Sequence, residues 1–286
     1  MVSYSVLCDL ASQIAEDTVE VDCLIAYDQD PHTYEGTPSD RQAIEQADLV
    51  LYAGMNFEPS IIQMVNAASN YATKIPVHEQ AVDDPIEHNS EGQPVLDPHI
   101  WHDVDNGMRM VETISKALID VAPEQSQRYT DNSAMLQARL LELDSWIAAQ
   151  IQTIPEAQRQ LVTTHDAMSY YSRAYGLTVA GTLLGLSPEE EPTAARVSEL
   201  VSNVRDIGVP TLFAELTTND RVLRTVANEA GVDISDDVLI ADGVGAQGTP
   251  EGSYQGMMEY NTCTIVVGLG GECEPFAEIV SQHDDS

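Results

Sequence analysis

Apolar and polar positions along this chain follow two rhythms, period two and period three-to-four, and they take turns. YSVLC reads as a strand and DLASQIAEDT as a short helix. VEVDCLIAY is the next strand, and Thr37 or Ser39 can cap a helix over PSDRQAIEQA. DLVLYAG, EPSIIQMVNAASN and KIPVHE continue as strand, helix and strand. Residues 80–97, proline-bearing and polar, read as a surface loop without fixed structure. A helix follows over 103–120, and Pro123 ends it. From Pro123 to Gln152 runs the longest helical pattern, with Met135, Leu136, Leu140, Leu143, Trp146 and Ile147 at three- and four-residue steps. Such a helix would span roughly 45 Å and could join two lobes as a rigid spine.

The second half repeats the alternation. LVTT, LTVAGTLLG, VPTLFAEL and DVLIADG are strand-like. DAMSYYSRAYG, TAARVSELVSNVRDIG, NDRVLRTVANEAG and SYQGMMEYNTCTIVVGL are helical, several with a glycine stop. The expected fold is α/β: two lobes with parallel sheets, 1–122 and 153–286, joined by a linking helix over 123–152.

In parallel sheets ligands bind beyond the carboxyl ends of the strands. Two metal-capable side chains stand there: LVTT leads into His165, and VLIA leads into Asp242. Two more stand in matching triplets, Asp30-Pro31-His32 and Asp97-Pro98-His99, each followed two residues later by an aromatic, Tyr34 or Trp101. Proline fixes the backbone before each histidine. A carboxylate two residues away can accept the second imidazole N–H. Asp166 could do the same for His165, or cap the following helix. The four residues lie far apart in the chain, which excludes a local zinc finger. A fold that brings strand ends together from two lobes would converge them into a closed shell of three imidazoles and one carboxylate, suited to zinc. Glu215, at the end of FAEL, is a candidate supporting or substitute ligand, or simply a hydrogen-bonded carboxylate. His102, three residues beyond His99, is a candidate outer residue or alternative ligand. His78 and His283 have no supporting context in the sequence.

The 47 acidic residues against 12 basic ones give a net charge of −35, which excludes nucleic acid and anionic membrane surfaces as partners. No apolar run is long enough to cross a bilayer, and the N-terminus lacks a basic leader. We expect a mature sequence whose leader or lipid anchor has been removed. Cys8, Cys23, Cys263 and Cys273 show no CxxC spacing and allow three pairings. Cys8 and Cys23 on neighbouring strands, and Cys263 and Cys273 around GLGGE, suggest the pairs 8–23 and 263–273 and an oxidising compartment. Buried reduced thiols are the alternative.

The segments DPHTYEGTPSD (30–40), ADLVLYAGMNFEP (47–59), DPHIWHD (97–103), TTHDAMSYYSRAYGL (163–177), PTAARVSELV (192–201), PTLFAEL (210–216) and IADGVG (240–245) carry a resemblance. The chain resembles the cluster A-I metal-binding subunits of bacterial ABC importers for zinc and manganese. The resemblance implies two α/β lobes on one long helix with metal between them. It implies His32, His99, His165 and Asp242 as ligands, and a monomer serving an ABC permease and its ATPase partner. It implies a periplasmic or cell-surface location, and no enzyme activity. Manganese-type relatives tend to carry Glu where His165 stands, so the expected metal is Zn2+, with Mn2+ as the alternative. Many zinc-type relatives carry a His-rich loop before the second ligand. Here that loop keeps His88 with Asp83, Asp84, Glu87 and Glu91, which argues for a plain solvated segment. A zinc-dependent hydrolase is the rival of another class, but the chain has no HExxH, and four protein ligands leave no open position for water.

Overall fold

The computed structural model describes residues 1–90, 93–188 and 192–276; Glu91 and His283 lie outside them. The chain divides into two compact units. The first comprises Met1–Leu141 with Gly243–Tyr254, and the second comprises Glu142–Asp242 with the chain from Gln255 onward.

The first unit opens with β1 (Val2–Tyr4), α1 (Ser5–Ala15) and β2 (Cys23–Ile25). It continues through α2 (Pro38–Gln46), β3 (Leu49–Tyr52), α3 (Pro59–Ala67), β4 (Thr73–Pro76) and α4 (Val77–Ala81). β5 (Glu87–Ser90) and β6 (Gln93–Leu96) form an antiparallel hairpin, and α5 (Val104–Val121) follows. The sheet is parallel in the order β2-β1-β3-β4. α1 and α5 pack together, with Leu7, Leu10 and Ile14 of α1 and Val111 and Ile114 of α5 fully buried. Thr37 caps α2 in a reciprocal box with Asp40.

Several expectations change here. YSVLC is not a strand: the chain turns helical at Ser5, because Val6, Leu10 and Ile14 share one buried face at four-residue spacing. Cys8 therefore sits on a helix. KIPVHE stays extended only to Pro76 before Val77 begins α4. The 80–97 loop holds the β5–β6 hairpin, in which His88 pairs with Val95 and Ser90 with Gln93.

α6 (Ser126–Gln152) runs from the first unit into the second and is about 40 Å long. A separate 3-10 turn, Pro123–Gln125, precedes it. Leu136, Leu140, Leu143, Trp146 and Ile147 are buried as their spacing predicts, but Met135 is 65% exposed.

The second unit contains β7 (Gln160–Thr163), α7 (Ser169–Tyr175), β8 (Thr178–Thr182) and α8 (Ala194–Ile207). β9 (Thr211–Leu212), α9 (Arg221–Ala230), β10 (Asp233–Ile234) and α10 (Tyr254–Gly268) complete it, although Tyr254 itself packs with the first unit. β7 pairs with β8 and β9 with β10, all parallel, and a bridge between Thr163 and Phe213 joins the two pairs. Leu200, Val204, Leu223 and Val226 of α8 and α9 pack on Val162 and Leu212. DVLIADG is not a regular strand. A single bridge joins Leu239 to Glu215, and the buried Asn261 carboxamide takes the place of a neighbouring strand. Its Oδ1 accepts from Ile240 N–H at 2.9 Å, and its Nδ2 donates to the Ile240 carbonyl at 2.8 Å.

Both disulfides form as expected, Cys8–Cys23 between α1 and β2 and Cys263–Cys273 between α10 and the segment after it. Among the described residues, no helix is long and apolar enough to cross a membrane. Replacing Cys8 and Cys23 together by alanine should lower unfolding stability by about 3 kcal/mol, since the bridge closes a loop of about 15 residues in the unfolded chain. Urea denaturation of the oxidised parent and the variant measures this.

Candidate metal centre

In the first unit, two loops carry the paired triplets. Asp30 Oδ1 accepts from the His32 backbone N–H at 2.8 Å, and Asp97 Oδ1 accepts from the His99 backbone N–H at 2.9 Å. The same Asp-Pro-His turn is thus built twice, each aspartate holding the backbone two residues on. The two rings meet: His32 Nε2 lies 3.1 Å from His99 Nε2. Asp97 does more than turn the chain. Its Oδ1 is 2.8 Å from His99 Nδ1, so that nitrogen carries the proton and Nε2 presents its lone pair. Burial works against the Asp97 charge, yet hydrogen bonds from His88 and His99 hold its pKa down at about 2. His88, on the hairpin, approaches Asp97 Oδ2 at 3.5 Å.

An aromatic wall backs this pair. Phe57 meets His32 edge-on at 4.8 Å and His99 at 5.8 Å between ring centroids. Trp101 and Tyr4 pack on Phe57 at 5.0 and 4.9 Å. Phe57 is aimed by the turn after β3, where Gly54, Met55 and Asn56 all take positive φ. His78 is fully buried in the same wall, its Nε2 2.8 Å from Tyr4 Oη, and burial pushes its pKa down to about 3. It is a neutral structural imidazole. Neither His78 nor Phe57 was assigned a role from sequence. Phe57 lay inside the NFEP motif, but nothing local marks His78. His102 ends the 3-10 turn Ile100–His102 and is buried against Trp101 at 5.2 Å. The Trp101 carbonyl accepts from Tyr254 Oη–H at 2.6 Å. Gly107 makes room for that tyrosine, because a Cβ there would overlap its hydroxyl.

In the second unit, the chain leaves β7 at Thr163, whose hydroxyl donates to the His165 carbonyl at 2.7 Å. His165 is fully buried. Its Nδ1 lies 2.5 Å from Glu215 Oε2, and its backbone N–H reaches both Glu215 oxygens at 3.2 Å. Its Nε2 faces Asp242 Oδ1 at 3.3 Å. Asp242 Oδ2 accepts from the Thr217 hydroxyl at 3.1 Å. The partner of His165 Nδ1 is therefore Glu215, fifty residues on, while the Asp166 carboxylate accepts from the Ser169 hydroxyl at 2.9 Å. Burial alone would strip a proton from His165. The Glu215 and Asp242 carboxylates outweigh it and raise the pKa well above the ordinary histidine value.

Each unit thus presents a buried pair of donors whose imidazole geometry a carboxylate sets: His32 with His99, and His165 with Asp242. Imidazole nitrogen and carboxylate oxygen are the donors that divalent transition metals take. With Nδ1 held by a carboxylate, Nε2 of His99 and of His165 is the ring atom left to meet an ion, so the residues of each unit fit a metal.

Known proteins resemble this chain over most of its length. Residues 1–268 match the family described as zinc-uptake complex component A, periplasmic. The chain belongs to this family, an extracytoplasmic class of metal-binding subunits of ABC importers. The manganese-binding lipoprotein MntA of Halalkalibacterium halodurans is 35% identical, over 93% of this chain and 87% of its own length. The manganese ABC transporter substrate-binding lipoprotein PsaA of Streptococcus pneumoniae is 30% identical, over 93% and 86%. The periplasmic zinc-binding protein TroA of Treponema pallidum superimposes with a TM-score of 0.89 at 29% identity, over 94% of this chain and 97% of that one. The two-lobe α/β fold with parallel sheets and a long helix is the fold they share. The family is one of substrate-binding transport proteins.

The raised pKa of His165 has a consequence with a definite sign. Metal-free protein should hold His165 protonated at pH 7. The stability this gives is complete below the unfolded pKa of about 6.5 and is lost as pH rises through the higher folded value. Glu215→Gln should bring the His165 titration down toward the ordinary range, followed by NMR of the ring protons. An unchanged midpoint would mean that Glu215 does not set the charge.

Proposed function

We propose that this protein captures zinc outside the cytoplasmic membrane and delivers it, as a monomer, to an ABC permease driven by an ATPase. The ligands in this reading are His32 and His99 from the first unit and His165 and Asp242 from the second. Three imidazoles and one carboxylate make a four-coordinate shell of the kind zinc accepts without distortion. The observation that carries the proposal is His165 itself. It is an imidazole, it is buried, and Glu215 on Nδ1 turns its Nε2 toward Asp242. Asp97 aims His99 in the same way. The cargo-binding atoms are thus held before the ion arrives, which lowers the ordering cost of capture.

Manganese is the second reading, favoured by relatives such as MntA and PsaA, which are named for that metal. Oxygen donors suit manganese better than imidazole does, so the position of His165 separates the two. Titration calorimetry of metal-stripped protein should give tight one-to-one zinc binding with manganese weaker. His165→Glu should reduce zinc affinity and favour manganese relatively. Stronger manganese binding by the parent protein would move the function to manganese uptake, and binding of neither metal would remove it.

Protons compete with the ion for these imidazoles. Zinc affinity should therefore fall as pH drops, beginning above the ordinary histidine range of about 6.5 because His165 holds its proton tightly in the empty protein. Affinity that is level from pH 8 to pH 5 would exclude the imidazole shell.

A further inference from the structure

The carboxylate oxygens of the second unit are unequally committed. Glu215 is spent on His165, through the ring Nδ1 and the backbone N–H. Asp242 is split: Oδ1 faces His165 Nε2 at 3.3 Å, while Oδ2 is turned to the Thr217 hydroxyl at 3.1 Å. Thr217 lies two residues beyond Glu215, just past the bridge that ties Glu215 to Leu239. The Leu216 N–H donates to the Leu239 carbonyl at 2.9 Å, and the Asn261 carboxamide clamps Ile240, so the backbones bearing Thr217 and Asp242 are held from both sides. Asp242 is nearly fully buried, so little solvent is at hand to replace the threonine hydroxyl if the carboxylate turns.

We infer that Thr217 is a specificity-determining positioning residue: its hydroxyl keeps Asp242 to one metal-facing oxygen and so biases the site toward four-coordinate ions. For both oxygens to chelate, the carboxylate must rotate until Oδ2 also faces the ion, and that rotation breaks the bond to Thr217. Zinc is satisfied by four donors, whereas manganese favours a larger, oxygen-richer shell. A second Asp242 oxygen is an extra donor the unit could offer, and Thr217 withholds it. The inference rests on the proposed role of Asp242 as a ligand.

The test compares Thr217→Val, which keeps the shape and removes the hydroxyl, with Thr217→Ser, which restores it. Zn2+ and Mn2+ affinities are measured by competition with a chromophoric chelator, and the visible spectrum is recorded with Co2+, whose bands are strong in four-coordinate and weak in higher-coordinate sites. Thr217→Val should shift the zinc-to-manganese affinity ratio about tenfold toward manganese, the lower end of what supporting residues of metal sites give. It should also weaken the Co2+ bands, and Thr217→Ser should match the parent on both readouts. If valine does not fold, Thr217→Ala read against serine serves the same comparison. An unchanged ratio and spectrum without the hydroxyl overturns the inference. An equal shift in both variants does so too, because packing rather than the hydroxyl would then be responsible. Failure of the parent to bind any of the three ions would instead remove the proposed function.

Discussion

A buried carboxylate accepting a hydrogen bond from imidazole Nδ1 is the interaction on which this site depends. It is present in each unit, Asp97 with His99 and Glu215 with His165. Each bond holds a proton on Nδ1 and sets which way the ring faces. Without it a buried histidine could rotate or change tautomer, and a metal would have to bear the cost of selecting one state. The surrounding fold serves these bonds. The parallel sheet, the turn that aims Phe57 and the Tyr254 bond to the Trp101 carbonyl pack around the His32–His99 pair. In the other unit the β7 end, the Glu215–Leu239 bridge and Asn261 do the same for His165 and Asp242.

The two histidines have different surroundings. His99 is paired with one carboxylate and faces another imidazole, His32. His165 lies between two carboxylates, and their combined field outweighs the burial that opposes charge.

What was legible in the sequence followed from locality. The Asp-Pro-His triplets state their own turn geometry, because the aspartate binds the backbone only two residues on. Thr37 with Asp40, and the glycines after α7, α8 and α9, mark helix ends in the same local way. What was misread depended on tertiary context. YSVLC alternates like a strand, yet burial of Val6, Leu10 and Ile14 makes it helical from Ser5. The hairpin at Glu87–Leu96 was hidden by proline and charge, although Pro94 is tolerable in a strand at a sheet edge. The sequence offers Asp166, beside His165, as its partner, but Glu215, fifty residues away, takes that place; only the pairing of β7 with the chain after β9 decides it. His78 shows the opposite failure. It has no sequence context, yet it is central to the aromatic wall.

The proton on His165 gives the empty protein a placeholder. Two buried carboxylates with no cation between them would repel one another and strain the fold around them. The raised pKa of His165 favours an imidazolium there, so the chain itself supplies a positive charge between Glu215 and Asp242. Under the proposed function, capture in this unit exchanges a proton for a metal ion rather than filling an electrically bare pocket.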